Sequence, residues 1–428
     1  MPNRPELMAI GDSIYNGTRS LTTNAEVAQL SVPAQVAGAF GWSFKVPTYP
    51  FDVLFNLEAM VRKGQFSPDN LKTSVLANAQ TWLNQGRWST DDCFDNVAIA
   101  QTTITDQSFL NYSDSFPNIG VLRQQLQDAS GMDFSALAEL YEALNVSFIL
   151  NPSNDPASEW ATRTPLQNVA ARKPRRVLVN IGINDGIWEV CLLADKSGFD
   201  PDKIATDMHD LGLQLLAMRQ AGQVDNIYLN LLPKPSCVAN LMPKGNPIKL
   251  PPGSDHFTEY LSQLAPPSSL SGADMKAVDD SVKTLNARIR NDFSQMFSAA
   301  GGLHFIDAYG LMALHDDKHF RETQENRIWL DGKRYNNRPL QSLAHVGGLY
   351  GLDNLHPTSV GYAILAKAVC AEIEAVEGLS PVAPIDLTAV LHRDTLLSDV
   401  PTNLDFTTLL LSIAIAFGRA FEGGGTTV

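Results

Sequence analysis

The sequence predicts one α/β domain, a parallel sheet with helices packed on both of its faces. Short apolar runs recur along the 428 residues, and each closes on Gly, Asp, Asn or Pro. These runs are rich in Val, Ile and Leu without strict alternation, which suits strands covered on both sides. Segments of helical periodicity lie between them, and strands alternating with helices build a parallel sheet.

The elements follow in chain order. "ELMAIGD" (6–12) reads as the first strand. "SVPAQVAGAFG" (31–41) reads as a helix with a Ser cap, an early Pro and a terminal Gly. "FDNVAIA" (94–100), "RRVLVNIGIND" (175–185), "NIYLNLLP" (226–233) and "GLHFIDAYG" (302–310) supply further strands, for a sheet of about five. Helical spacing marks 200–222, 272–302 and 358–378. Four connections exceed what this architecture needs: 42–92, 106–165, 234–271 and 311–350. Long loops of α/β folds gather at the carboxyl ends of the strands, so these insertions are expected to wall or cover a pocket. The Pro-rich third insertion reads as an irregular excursion. Residues 1–378 form the domain, and 379–428 a C-terminal extension, loop-like to 406 and then an apolar helix (407–421) expected to dock on it.

Composition narrows the function. With 44% hydrophobic and 18% charged residues the chain has the make-up of a globular protein. Its net charge of −14 argues against nucleic acid and against adsorption to anionic lipid, both of which need clustered Lys and Arg. A neutral ester or glycan fits. Cys93, Cys191, Cys237 and Cys370 form no C-x-x-C pair, which speaks against a zinc or redox centre. Four free thiols are expected, with a Cys191–Cys237 bridge as the alternative. The chain opens without a long apolar signal region, which favours the cytoplasm; a mature secreted or periplasmic form reads the same. No segment is long and apolar enough to span a bilayer, and the oligomeric state is open.

Chemistry-bearing residues sit where the predicted strands end. Ser13 follows the first run, Asn184 the third, and Asp353 with His356 lie in "GLDNLHPTSVGY" before the last helix. Strand ends on one edge of a parallel sheet converge, so a hydroxyl, an amide, a carboxylate and an imidazole meet there. That set suits acyl transfer through a covalent intermediate. A serine hydroxyl is barely ionised at neutral pH, so His356 has to take its proton, with Asp353 fixing the imidazole tautomer. Asn184 and the Ser13 backbone N–H would donate to the developing oxyanion.

"GDS" (11–13), "GIND" (182–185) and "DNLHP" (353–357), in that order, resemble the SGNH, or GDSL-type, hydrolase family over roughly residues 6–378. The resemblance implies a three-layer α/β/α sandwich of flavodoxin-like type, ester hydrolysis by a Ser-His-Asp mechanism, and no metal or organic cofactor. It assigns Ser13 as nucleophile, Asn184 as oxyanion amide, and Asp353 and His356 as the other triad members. One family block departs: in "DNVAIAQTTITD", Gln101 stands where a glycine is expected to lend its N–H to the oxyanion hole. Tyr15, in "GDSIYNG", is expected to shape the substrate pocket.

A second Asp-x-x-His, Asp316 and His319 in "HDDKHF", is a decoy for the first. His315 and His319, four residues apart, have metal-ligand spacing on a helix, but the stretch reads as a solvated charged turn. No G-x-S-x-G, H-E-x-x-H, Walker A or G-x-G-x-x-G is present. The expected function is a serine lipase or esterase on a small-molecule acyl or aryl ester. A carbohydrate O-acetyl esterase or acyltransferase with the same triad, and a non-catalytic lipid- or partner-binding scaffold, are the alternatives.

Overall fold

The computed structural model describes residues 4–245, 249–341 and 347–402. Its centre is a parallel sheet of four strands, β1 (Leu7–Gly11), β2 (Arg176–Asn180), β3 (Asn226–Asn230) and β4 (Leu303–Ile306), hydrogen-bonded in that order. The run at 94–100 lies on the outer side of β1. It is joined there by the Ala9–Asn96 bridge and by the bonds Ala9 N–H to Asp95 O, Val97 N–H to Ala9 O and Ile99 N–H to Gly11 O. It pairs there by a single bridge and is not a regular strand. Asn96 Oδ1 accepts from Ala98 N–H at 3.2 Å and its Nδ2 donates to Tyr15 O at 2.8 Å, which ties the run to the helix Ser13–Asn16. The five apolar runs thus lie in spatial order 2-1-3-4-5, and the order reverses at β1. Ligands of open α/β sheets bind beyond the carboxyl ends of the strands at such a reversal.

Every residue of β1 and β2 is buried, and alternate side chains feed opposite faces. Leu7, Ala9, Leu178 and Tyr228 pack with α1 (Ser13–Asn16), α2 (Val32–Phe40) and α6 (Ser359–Glu377). Met8, Ile10, Val177, Val179, Ile227 and Leu229 face the other layer. That layer is built from α3 (Pro165–Arg172), α4 (Pro201–Gln220) and α5 (Gly272–Met296). Helices therefore cover both faces, the three-layer sandwich expected from the sequence. Ser caps α2 by position and Pro33 occupies its first turn, while Gly41 closes it at φ 67°.

The insertions are more ordered than their composition suggests. The first two are helical, with Pro68–Asn84, Tyr112–Asp128 and Phe134–Leu150 packed around Trp82, Trp88 and Phe148. The Pro-rich third is not merely irregular: Leu241–Pro243, Glu259–Ser262 and Ser269–Ser271 form a small antiparallel sheet. Pro243 is tolerated because it sits on an edge strand. The fourth carries a hairpin, Ile328–Leu330 with Lys333–Tyr335.

The stretch after 378 also corrects the loop-like expectation. Leu387–Arg393 and Thr395–Ser398 are helices, each capped by an aspartate, Asp386 and Asp394. The apolar segment 407–421 lies outside the described residues. All four cysteines are free, and Cys191 and Cys237 are not bridged. Among the described residues no helix is long and apolar enough to cross a membrane.

Candidate active site

Ser13 opens α1 directly after β1. Gly11, at φ 137°, makes the junction possible, since a Cβ there would lie 1.9 Å from Asn180 O of β2. Asp12 caps the helix by accepting from Ile14 N–H at 3.0 Å, and the Asn180 amide donates to the same oxygen at 2.8 Å. The other Asp12 oxygen is buried without a partner, and burial pushes this carboxyl up to about 7 against those two bonds. The Ser13 N–H, at the first helical position, has no intrahelical acceptor. Among the described residues no side chain bonds the Ser13 hydroxyl.

Asp353 and His356 come from the turn before α6. Asp353 is fully buried and holds four donors. Its Oδ2 takes His356 Nδ1 at 2.7 Å and Leu21 N–H at 2.8 Å, and its Oδ1 takes Leu355 N–H at 3.0 Å and His356 N–H at 2.9 Å. The turn is stitched to the segment after Ser13, since Leu352 N–H donates to Ser20 Oγ at 2.9 Å and the Tyr362 hydroxyl donates to Thr18 O. His356 Nε2 is bonded to no described residue, and the ring lies 5.3 Å from that of Trp188.

Ser13, Gln101, Asn184, Trp188 and His356 line one cavity of about 210 Å³. Phe55 of the first insertion, with Leu137 and Tyr141 of the second, completes its wall. Asn184 donates one amide hydrogen to Thr102 O at 2.9 Å, which orients the side chain and leaves the second hydrogen. Gln101 has φ 73°, the left-handed conformation that glycine adopts freely, so its backbone keeps the glycine geometry with a side chain added. Its N–H bonds to no described residue. Asp185, beside Asn184, accepts from Ile104 N–H at 3.1 Å, and burial pushes it up to about 6.

A family model described as GDSL-like Lipase/Acylhydrolase matches residues 7–369. The chain belongs to the GDSL-like lipase/acylhydrolase family. Comparison with curated proteins and with solved structures returns no match. Membership makes the protein a hydrolase of ester substrates, and a Ser-His-Asp triad with an oxyanion hole is typical of GDSL-like enzymes.

Two expectations from the sequence need correction on this GDSL-like framework. Tyr15 does not shape the pocket: it is fully buried under α1, and its hydroxyl donates to Asn230 Oδ1 at 3.0 Å. Helical phase turns residue 15 away from residue 13 and into the layer formed with α2 and α6. The "HDDKHF" stretch is not a solvated turn. Asp316, Lys318 and His319 are buried, His319 bonding Asp316 Oδ2 at 2.6 Å and the Tyr260 hydroxyl, and Lys318 bonding the carbonyls of Ser236, Val238 and Leu241. His315 follows the end of the helix Ala308–Leu314 and bonds Asn326 O at 2.9 Å, so the two imidazoles share no helix face. Among the described residues no group of three ligands could hold a metal. Trp188, which borders His356, carries no motif that sets it apart from the other tryptophans; its place three residues after "GIND" is the one signal in the sequence.

Proposed function

We propose that the protein is a serine lipase or esterase acting on acyl esters through Ser13, His356 and Asp353. The observation that carries this reading is the His356 imidazole. It is held by buried Asp353 on Nδ1, and His356 lines the same cavity as Ser13, whose hydroxyl no described side chain bonds.

Ser13 Oγ attacks the ester carbonyl carbon, and its proton passes to His356 Nε2. The tetrahedral oxyanion receives hydrogen bonds from Asn184 Nδ2 and from the N–H groups of Ser13 and Gln101. Collapse breaks the bond to the alcohol, which leaves with the proton from His356. Water then attacks the acyl-Ser13 carbonyl, His356 takes the water proton, and that proton returns to Ser13 Oγ as the acid departs. Asp353 holds the tautomer with its proton on Nδ1 throughout. The left-handed backbone at Gln101 supports this reading over a binding scaffold, because it presents the N–H as a glycine would.

Hydrolysis of p-nitrophenyl esters from acetyl to palmitoyl tests the proposal. Ser13→Ala should lower kcat by about 10⁴-fold or more, and Asp353→Asn by about 10⁴-fold. Asn184→Ala should cost about 10²- to 10³-fold. Equal rates in wild type and Ser13→Ala would reject Ser13 as the nucleophile.

A further inference from the structure

A second cavity, of about 140 Å³, also borders Ser13. It shares Ser13 and Trp188 with the first and runs between the helix Ala308–Leu314 and α6. Ile183, Ile187, Leu311, Met312, Leu355 and Ile364 make much of its wall. Most of the polar side chains along it are committed elsewhere, while the Tyr350 hydroxyl is hydrogen-bonded to no described residue. Asn180 bonds Asp12 and Asn230 at 2.8 Å each, Cys237 donates to Asp316 at 3.2 Å, and Asn337 donates to Cys237 O at 2.9 Å and to Asp316 at 2.8 Å. Lys234 is paired with Asp279 at 3.8 Å, and His315 with Asn326 O at 2.9 Å, where burial lowers its pKa and favours the neutral ring. The wall therefore holds no unpaired charge and is mostly apolar, and an ionised ligand would lose its hydration there for little in return.

We infer that this cavity takes the hydrocarbon chain of the acyl group, and that Met312 and Ile364 set the chain length the enzyme prefers. The assignment rests on Ser13 as the nucleophile. The tetrahedral carbon bonded to Ser13 Oγ carries three further groups: the oxyanion turns to its donors, which leaves two directions for the leaving alcohol and the acyl chain. The cavity bordered by His356 must admit the alcohol and later the water, because His356 exchanges protons with both. The apolar cavity is left for the chain, where each buried methylene is worth about fourfold in affinity.

Chain-length profiles of kcat/KM, from acetyl to palmitoyl, test the assignment in wild type, Met312→Trp and Ile364→Ala. Filling the cavity with Met312→Trp should lower the dodecanoyl-to-acetyl ratio at least tenfold. Widening it with Ile364→Ala should move the optimum to longer chains, a gain of function that a misfolded variant cannot imitate. Ratios within twofold of wild type in both variants, each showing a wild-type thermal transition, overturn the assignment. A small fluorophosphonate, read by the mass of the Ser13 peptide, separates the two failures. Labelling of Ser13 with unmoved ratios rejects the acyl cavity alone. No labelling of Ser13 in an active wild type rejects the nucleophile and the cavity together.

Discussion

At the scale of single residues, the candidate site is arranged by what each side chain is already bonded to. Asp353 has four donors and is wholly buried, so it holds His356 in place. Asp12 is the opposite case, a buried carboxyl with one oxygen lacking a partner. Its pKa of about 7, against 3.8 for the free side chain, means that the fold prefers the protonated form. The unfolded chain then loses this proton before the folded one does. Asp12 should therefore make stability fall as pH rises from about 4 to about 7, with no further change above. Asp12→Asn removes the titration, so the difference in urea midpoint between variant and wild type should widen in the variant's favour across that window and then level off. A difference that stays constant from pH 4 to 8 would show that Asp12 is ionised throughout.

At the scale of elements, two identical Asp-x-x-His spacings are separated by what surrounds them. Asp353–His356 precedes α6, and its imidazole borders a cavity; Asp316–His319 is enclosed between the third and fourth insertions, with Tyr260 on the second ring nitrogen. A histidine bonded on both nitrogens has no lone pair or proton to exchange with a substrate. His319 instead helps fasten the two insertions together, as does Lys318 on its three carbonyls. His319→Ala leaves Asp316 buried without its strongest partner and should destabilise the fold by roughly 3 kcal/mol. The folded variant should keep kcat within about threefold, measured below its melting temperature. A loss of kcat comparable to that of Ser13→Ala would make this dyad part of the chemistry.

At the scale of the whole molecule, the stretch after 378 is tied to the segment that follows Ser13. Arg19 is almost fully buried and pairs with Glu58 in the first insertion, through two bonds of 2.7 Å, and with Asp394 at 3.1 Å. Asp394 also accepts from Ser359 N–H at 2.8 Å, at the start of α6. One guanidinium thus joins the loop after Ser13, an insertion, and the chain beyond the sheet. Asp394→Ala strips a partner from a buried cation and uncaps Thr395–Ser398, and should cost roughly 3 to 5 kcal/mol in chemical denaturation. A loss under about 1 kcal/mol would mean that the remaining partners, Glu58 with Glu26, Ser359 and Thr395, satisfy Arg19.

The strand-forming runs, the helices between them and the three motif blocks were all legible in the sequence, because each rests on local periodicity and on residue types that mark strand ends. Ser13, Asn184 and His356 group from the sequence alone, since a parallel sheet forces its strand ends onto one rim. What lay beyond local reading was decided by tertiary contact. The second run pairs with β1 by a single bridge and not as a full strand, and a hydrogen bond to Asn230 holds Tyr15 in the core. Burial turned a charged hexapeptide into an internal fastener, and the insertions divided the space beside Ser13 into two cavities of different character. The sequence by itself determined the sheet, its edge and the reactive residue types, which depend on neighbours along the chain. Only the tertiary structure decided which imidazole borders a cavity and what each cavity can solvate, because burial and pairing are set by residues hundreds of positions apart.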